Sequence, residues 1–247
     1  MTEPLFRDDA YAEQCEATVT AFTESGAVIL DRTVFYAAGG GQPGDTGTLR
    51  WDGGSLEIVD TRKHIGGIAH LPAVAEGEDL GALYAERLPR VGTTVTAEID
   101  SARRLRHMRC HTALHLLSVV LPFPVTGGQI GAEKGRLDFD MPEAPGDKAA
   151  LEAELKALIE ADHPVTSEWI TEEELLANPG LVKTMAVQPP MGEGRVRLVR
   201  IGAGETPVDL QPCGGTHVRF TGEIGPVSVG KVEKKGKQNR RVSLLIG

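Results

Sequence analysis

Alternation of apolar and polar residues dominates the first hundred positions. CEATVTAF, GAVILD, TGTLRW, SLEIVDTR, GGIAHL and TVTAEID are short runs rich in β-branched and aliphatic residues, with Gly, Pro or Asp between several of them. Such runs read as strands, and six of them separated by turn signals predict a small β-barrel or sandwich. Near residue 100 the pattern changes. ARRLRHMRCHTALHLLSVVL contains no Gly or Pro and runs to Pro122, which predicts a helix with Asp100 or Ser101 at its N-cap. Leu105, Met108, Leu116 and Val119 fall near helical spacing and are its expected buried stripe. A second helix is expected over GDKAALEAELKALIEAD, opened by Asp147 and stopped by Pro164, and a short third over TEEELLAN, capped by Thr171. GRVRLVRIG, PVDLQ, GPVSVGKVE and RRVSLLIG read as strands again, so the second part is an expected α+β domain. The expected division is residues 1–100 and 101–247.

Charge sharpens that division. The chain carries a net −9, yet residues 1–100 hold 7 basic and 17 acidic side chains, whereas residues 101–247 hold 19 and 18. Arg103, Arg104, Arg106 and Arg109 lie together without an acid between them. Lys231, Lys234, Lys235, Lys237, Arg240 and Arg241 cluster against the single Glu233. Local potential rather than total charge governs phosphate binding, so both groups are candidate nucleic-acid contacts, or else solvated charged faces. Three scattered cysteines do not make a disulfide framework. The opening residues lack the apolar core of a signal peptide, and no run approaches bilayer length, so a soluble cytoplasmic protein with no membrane partner is expected.

One stretch of the first part is unusual. Gly39, Gly40, Gly41, Gln42, Pro43, Gly44, Asp45, Thr46 and Gly47 include five glycines in nine residues. They permit a tight turn or a close approach by another chain segment. No Gly-Lys-Ser/Thr follows, which excludes a phosphate-binding P-loop.

The candidate chemistry lies in the second part. His111 and His115 are four apart on the expected helix, so both imidazoles project from one face. Ninety-eight positions after His115 comes Cys213-Gly214-Gly215-Thr216-His217. Three imidazoles and one thiolate suit zinc far better than magnesium or calcium. His107 lies one turn before His111 and could share its face. Cys110 points about 100° away and reads as a small buried hydrophobe. A peptidase of the HExxH type is excluded, because Thr112 stands where the glutamate base belongs. A closed four-ligand site would also serve as a purely structural ion. Glu133 and Asp209 lie near the half-sites in sequence, with a surface or salt-bridge role expected for each.

Four stretches, in order, resemble the editing domain of alanyl-tRNA synthetase and the free-standing AlaX proteins. They are FYAAGGGQPGDTG (Phe35–Gly47), HTALHLL (His111–Leu117), GGQIGAEKGRLDFDM (Gly127–Met141) and CGGTHVRFTGEIG (Cys213–Gly225). Threonyl-tRNA synthetase editing domains share the two half-sites, but the glycine-rich signature favours the alanyl branch. The resemblance implies a medium-length form, an N-terminal barrel followed by an α+β zinc-binding editing domain, with no room for an aminoacylation domain. It further implies one zinc ion held by His111, His115, Cys213 and His217, and Gln129 over the reaction centre. The implied partner is mischarged tRNA(Ala), deacylated in trans: Ser-tRNA(Ala) first, with Gly-tRNA(Ala) a second substrate. Where the synthetase domains commonly carry threonine, before the second histidine, this chain has Leu114, and Thr112 or Thr216 could take over reading of the serine hydroxyl. The expected tRNA contacts are Arg103, Arg104, Arg106, Arg109, Lys234, Lys235, Lys237 and Arg240. The rival from another class is a non-catalytic, zinc-stabilised RNA-binding module.

Overall fold

A computed structural model describes residues 1–74, 87–184 and 194–247. Two compact units emerge: residues 1–39 with 43–105, and residues 40–42 with 106–247. The glycine-rich stretch is therefore divided, with Gly40–Gln42 belonging to the second unit. Among the described residues, no helix is long and apolar enough to cross a membrane.

The first unit opens with β1 (Glu3–Pro4), parallel to β4 (Arg32–Thr33). Its body is a closed antiparallel barrel, ordered β2 (Gln14–Phe22), β3 (Val28–Leu30), β7 (Gly67–Pro72), β6 (Gly54–His64), β5 (Gly47–Trp51) and β8 (Thr94–Ile99). Closure removes every sheet edge. Alternate positions point inward, as period-two strands require, so Val19, Val28, Leu30, Leu49, Leu56, Ile58, Val95 and Ala97 form the core, joined by Phe35 from the segment after β4. Asp45 ties the end of the glycine-rich stretch to this unit. One of its carboxylate oxygens accepts from the Tyr36 amide at 2.6 Å and from Arg104, whose Nη atoms also donate to the carbonyls of Ala10 and Val34.

The second unit has a four-stranded antiparallel sheet ordered β14 (Val227–Lys234), β15 (Asn239–Ile246), β10 (Lys134–Asp140) and β9 (Val125–Gln129). A three-stranded antiparallel sheet is ordered β11 (Val165–Thr171), β12 (Arg195–Ile201) and β13 (Asp209–Pro212). Helix α1 (Ser101–Val120) begins where the Asp100 side chain accepts from the Arg103 amide. Cys110 and Leu114 lie over Gly135 of β10, so close that a side chain at Gly135 would collide with them. A quarter-turn round the same helix, His115 and Ser118 meet Gln211 of β13. Burial on two faces explains why the stripe expected from periodicity needs correction: Met108 and Leu116 are buried, but Leu105 is 40% exposed and Val119 half-buried, whereas Cys110, Leu114 and Leu117 are enclosed. Helix α2 (Lys148–Glu160) is capped by Asp147 and buries Leu151, Leu155 and Ile159 at four-residue spacing. Helix α3 (Glu172–Ala177) opens with a reciprocal Thr171–Glu174 capping box.

His70 on β7 has no solvent exposure. Its Nδ1 lies 2.9 Å from the Val28 carbonyl, which can only accept, so Nδ1 carries the proton. Its Nε2 then accepts from the Thr33 hydroxyl at 2.8 Å. Burial, only partly opposed by the Val28 hydrogen bond, lowers the His70 pKa from 6.5 to about 4. The neutral ring is therefore favoured by folding above the unfolded pKa. That contribution, roughly 3 kcal/mol, is lost as pH falls through the folded pKa. Urea unfolding at neutral pH and near pH 4 should show a larger acid destabilisation in the wild type than in His70→Gln. Equal losses would exclude His70 as the source.

Candidate metal centre

Ligand geometry begins with α1. The four-residue spacing stacks His111 and His115 on one face, with ring centroids 5.3 Å apart. The loop after β13 supplies Cys213 and His217. The His217 ring lies 4.3 Å from that of His111 and 4.6 Å from that of His115. Cys213 Sγ is 3.5 Å from His111 Nε2 and 3.3 Å from His217 Nε2. One ligand atom from each of the four residues falls within 4.8 Å of all the others. Ligands arranged tetrahedrally round a zinc-sized ion, at Zn–S and Zn–N bond lengths, stand about 3.5 Å apart, so the set fits a single metal ion.

The loop reaches this position through Gly215. A methyl group there would collide with the His111 ring and with the Gln42 side chain. Arg197 on β12 braces the same loop, with Nη1 donating to the carbonyls of Cys213 and Gly215 at 3.0 Å each.

A second layer fixes the protons on the three rings. Gln42 Oε1 accepts from the Thr216 amide at 3.1 Å and lies 2.9 Å from His111 Nδ1, while Gln42 Nε2 donates to Thr216 Oγ1 at 2.8 Å. Asp209, fully enclosed, accepts from His115 Nδ1 at 2.9 Å, from Lys183 at 2.5 Å and from Gln211 at 2.7 Å. The Thr112 hydroxyl donates to the Met108 carbonyl at 2.9 Å, so toward His217 Nδ1, 3.1 Å away, it acts as the acceptor. Every Nδ1 thus faces an acceptor and carries hydrogen. Nε2 is therefore the nitrogen of each ring left for the cluster, and in a neutral ring it is the lone pair a metal takes.

The electrostatics agree. Burial opposes ionisation of Cys213, yet the surrounding histidines, His111 foremost, hold its thiol well below the ordinary range. Burial, with the neighbouring His111 ring, pushes His217 down to about 3, so it is neutral. At His115 burial is outweighed by Asp209 and Cys213, and the pKa rises to about 9. A cation bound at the four atoms would displace that proton.

The other expected site residues are dispersed. Thr216 is buried with its oxygen engaged by Gln42, and Thr112 is buried with its hydroxyl engaged as above. Gln129 ends β9 at the surface, its Oε1 accepting from Arg136 Nε at 3.2 Å. The next residue's amide donates to the carbonyl of Gly41. At that point Gly41 has a positive φ of 83° and no room for a side chain against Gly128. Leu114 packs on Gly135, and His107 is buried outside the four-residue cluster. Two expected tRNA contacts require correction. Arg104 is 2% exposed and paired with Asp45, and Arg240 is 8% exposed with its Nη atoms on the carbonyls of Pro142, Gly236 and Asn239, so neither presents its charge to a phosphate. Arg109 donates to the Ile224 carbonyl and Arg103 to that of Gly44. Arg106, Lys234, Lys235 and Lys237 are exposed.

Sequence reasoning did not assign Gln42, Asp209 or Arg197 to the centre. For Asp209 a signal exists: Asp209 and Gln211 share a face of β13, and Cys213 follows two positions later. Removing its charge while keeping its shape, Asp209→Asn, should weaken metal binding by about 10- to 100-fold in a chelator competition. An unchanged affinity in a folded variant would rule out Asp209 as the group that orients His115.

Residues 196–243 match the family model described as "Threonyl and Alanyl tRNA synthetase second additional domain", and residues 6–103 that of class II (A) tRNA synthetases. The chain is 36% identical over 249 residues to the alanyl-tRNA editing protein AlaX-M of Methanosarcina acetivorans, covering 98% of each, and 36% identical to that of Methanosarcina mazei, covering 98% of this chain and 95% of the relative. It is also 36% identical to the alanine–tRNA ligase of Pyrobaculum calidifontis, covering 94% of this chain but 25% of the ligase. With a relative of that identity matched from end to end, and a synthetase-domain model covering the Cys213–His217 half of the cluster, the chain belongs to the AlaX family of alanyl-tRNA editing proteins.

Proposed function

We propose that this chain is a zinc-dependent hydrolase of mischarged tRNA(Ala), acting in trans on the ester between serine and the terminal ribose, with glycine as a second amino acid removed. The observation that carries the reading is the convergence of His111, His115, Cys213 and His217, each histidine with its Nδ1 facing an acceptor and its Nε2 left for the cluster. Zinc matches a donor set of three imidazoles and one thiolate, and when bound it supplies Lewis acidity and a fixed positive charge beside the substrate. Water adds to the ester carbonyl, and free amino acid and tRNA leave.

Serine and alanine differ by one hydroxyl, which an alanine-sized activation site rejects poorly. A second site discriminates by offering a partner that alanine would leave unpaired. Thr216 fits that role. Its oxygen accepts from Gln42, and its proton is directed by no hydrogen bond among the described residues, so it is available to a substrate oxygen. Gln42 sets the orientation of that hydroxyl and of His111 together. Gln129, at the exposed end of β9, is the reading's candidate for positioning water or the carbonyl oxygen. Arg106, Lys234, Lys235 and Lys237 are the side chains left exposed to meet phosphates.

One observation favours the second reading, a zinc-stabilised RNA-binding module: four protein ligands are the complement of a structural site. Deacylation assays with seryl-, glycyl- and alanyl-tRNA(Ala) separate the two. The hydrolase reading expects release of serine and glycine with alanine retained, and loss of both zinc and turnover in Cys213→Ala. Tight tRNA binding without turnover establishes the module instead. Thr216→Val should reduce seryl-tRNA deacylation about tenfold or more while leaving glycyl-tRNA within about twofold; equal losses on both would remove Thr216 as the reader of the hydroxyl.

A further inference from the structure

The three-stranded sheet carries a feature that the metal centre does not use. Residues opposite one another in an antiparallel pair project from the same face. Trp169 on β11 is opposite Arg197 on β12, and the Cys213 amide donates to the Arg197 carbonyl, so Trp169, Arg197 and Cys213 form one cross-strand row. Two strand spacings put the Trp169 and Cys213 backbones about 10 Å apart. Cys213 and Gln211, next on that face, turn toward His111 and His115. The same face of β11 runs out into solvent: Ser167, Trp169 and Thr171 are all exposed, Trp169 by 38%. The exposed Arg195 lays its guanidinium over the indole, 4.6 Å from the ring centroid. On this face β11 and β12 carry Arg195 and Arg197 and no acid, while Glu168 and its partner Arg200 occupy the opposite face.

We infer that the Trp169–Arg195 pair is the stacking platform for the nucleobase of the terminal nucleotide, the one whose ribose carries the ester. The inference rests on the hydrolase reading above and specifies how that substrate is held. Aromatic and guanidinium planes both stack single-stranded bases, and the positive charge beside them suits a phosphodiester. The backbone spacing of about 10 Å between Trp169 and Cys213 is within the reach of a single aminoacyl nucleotide.

Two measurements on the full-length, zinc-loaded chain test this. In a Trp51→Phe background Trp169 is the only tryptophan. An acceptor-stem minihelix ending in CCA should then quench its fluorescence, and the same minihelix ending in CC should not. Trp169→Ala should raise KM for seryl-minihelix by about 5- to 100-fold with kcat within about twofold, and Trp169→Phe should restore most of the loss. Equal quenching by both minihelices, no quenching by either while deacylation persists, or an unchanged KM in Trp169→Ala overturns the platform and leaves the hydrolase reading intact. Should Trp169→Ala fail to fold, the quenching pair and Trp169→Phe decide alone. A wild-type chain that neither deacylates nor binds either minihelix overturns the hydrolase reading, and the platform with it.

Discussion

Three hydrogen bonds, each made by the Nδ1–H of a histidine, set the character of the second unit. An imidazole offers either nitrogen to a metal, and the partner of one nitrogen decides the fate of the other. Here the partners are an amide oxygen from Gln42, a carboxylate from Asp209 and a hydroxyl from Thr112, and they come from three separate parts of the chain. None is itself a ligand. Each is committed by another bond: Gln42 by the Thr216 amide, Asp209 by Lys183 and Gln211, Thr112 by the Met108 carbonyl. The arrangement therefore costs little reorganisation when a cation arrives, beyond the proton that leaves His115.

Backbone geometry makes those bonds possible. The turn after β13 passes so close to His111 that only glycine fits at position 215, and Arg197 holds the turn by two carbonyls. Gly41 approaches the Gly128 backbone with a left-handed φ, and its carbonyl receives the Ile130 amide. That contact delivers Gln42 to the ring of His111. The glycine-rich stretch thus does two jobs within nine residues. Its later part, through Asp45, is anchored in the barrel unit by Tyr36 and Arg104, and its earlier part completes the metal centre.

Local pattern revealed most of the architecture. Strand alternation marked the six barrel strands, the absence of Gly and Pro marked α1, and Asp147 and Thr171 act as the caps their residue types predict. Spacing also picked out the four clustered residues, because HxxxH on a helix and CxxxH round two glycines each bring ligands to one side. Legibility fails where long-range contacts decide. The helix stripe was misplaced because α1 is covered on two faces, which a single period cannot express. Arg104 and Arg240 look like their exposed neighbours in the sequence and differ only through partners such as Asp45 and Pro142 far along the chain. Gln42 lies 69 residues from His111 with no periodic relation to it. Asp209 is the intermediate case: its two-residue spacing to Gln211 and Cys213 was on display, but only burial distinguishes an orienting carboxylate from a surface one.

Leu114 shows why a substituted position need not remove a function. In this chain that side chain points at Gly135, on the β10 side of the helix, and is buried with Cys110. A polar hydroxyl there would sit in an apolar contact and need its own partner. Beside His111, Thr216 already has its oxygen held by an amide that also holds that metal-ligand ring. Hydroxyl recognition and metal orientation then share one side chain, Gln42. A change at Gln42 would disturb both, whereas a change at position 114 would be felt first in packing.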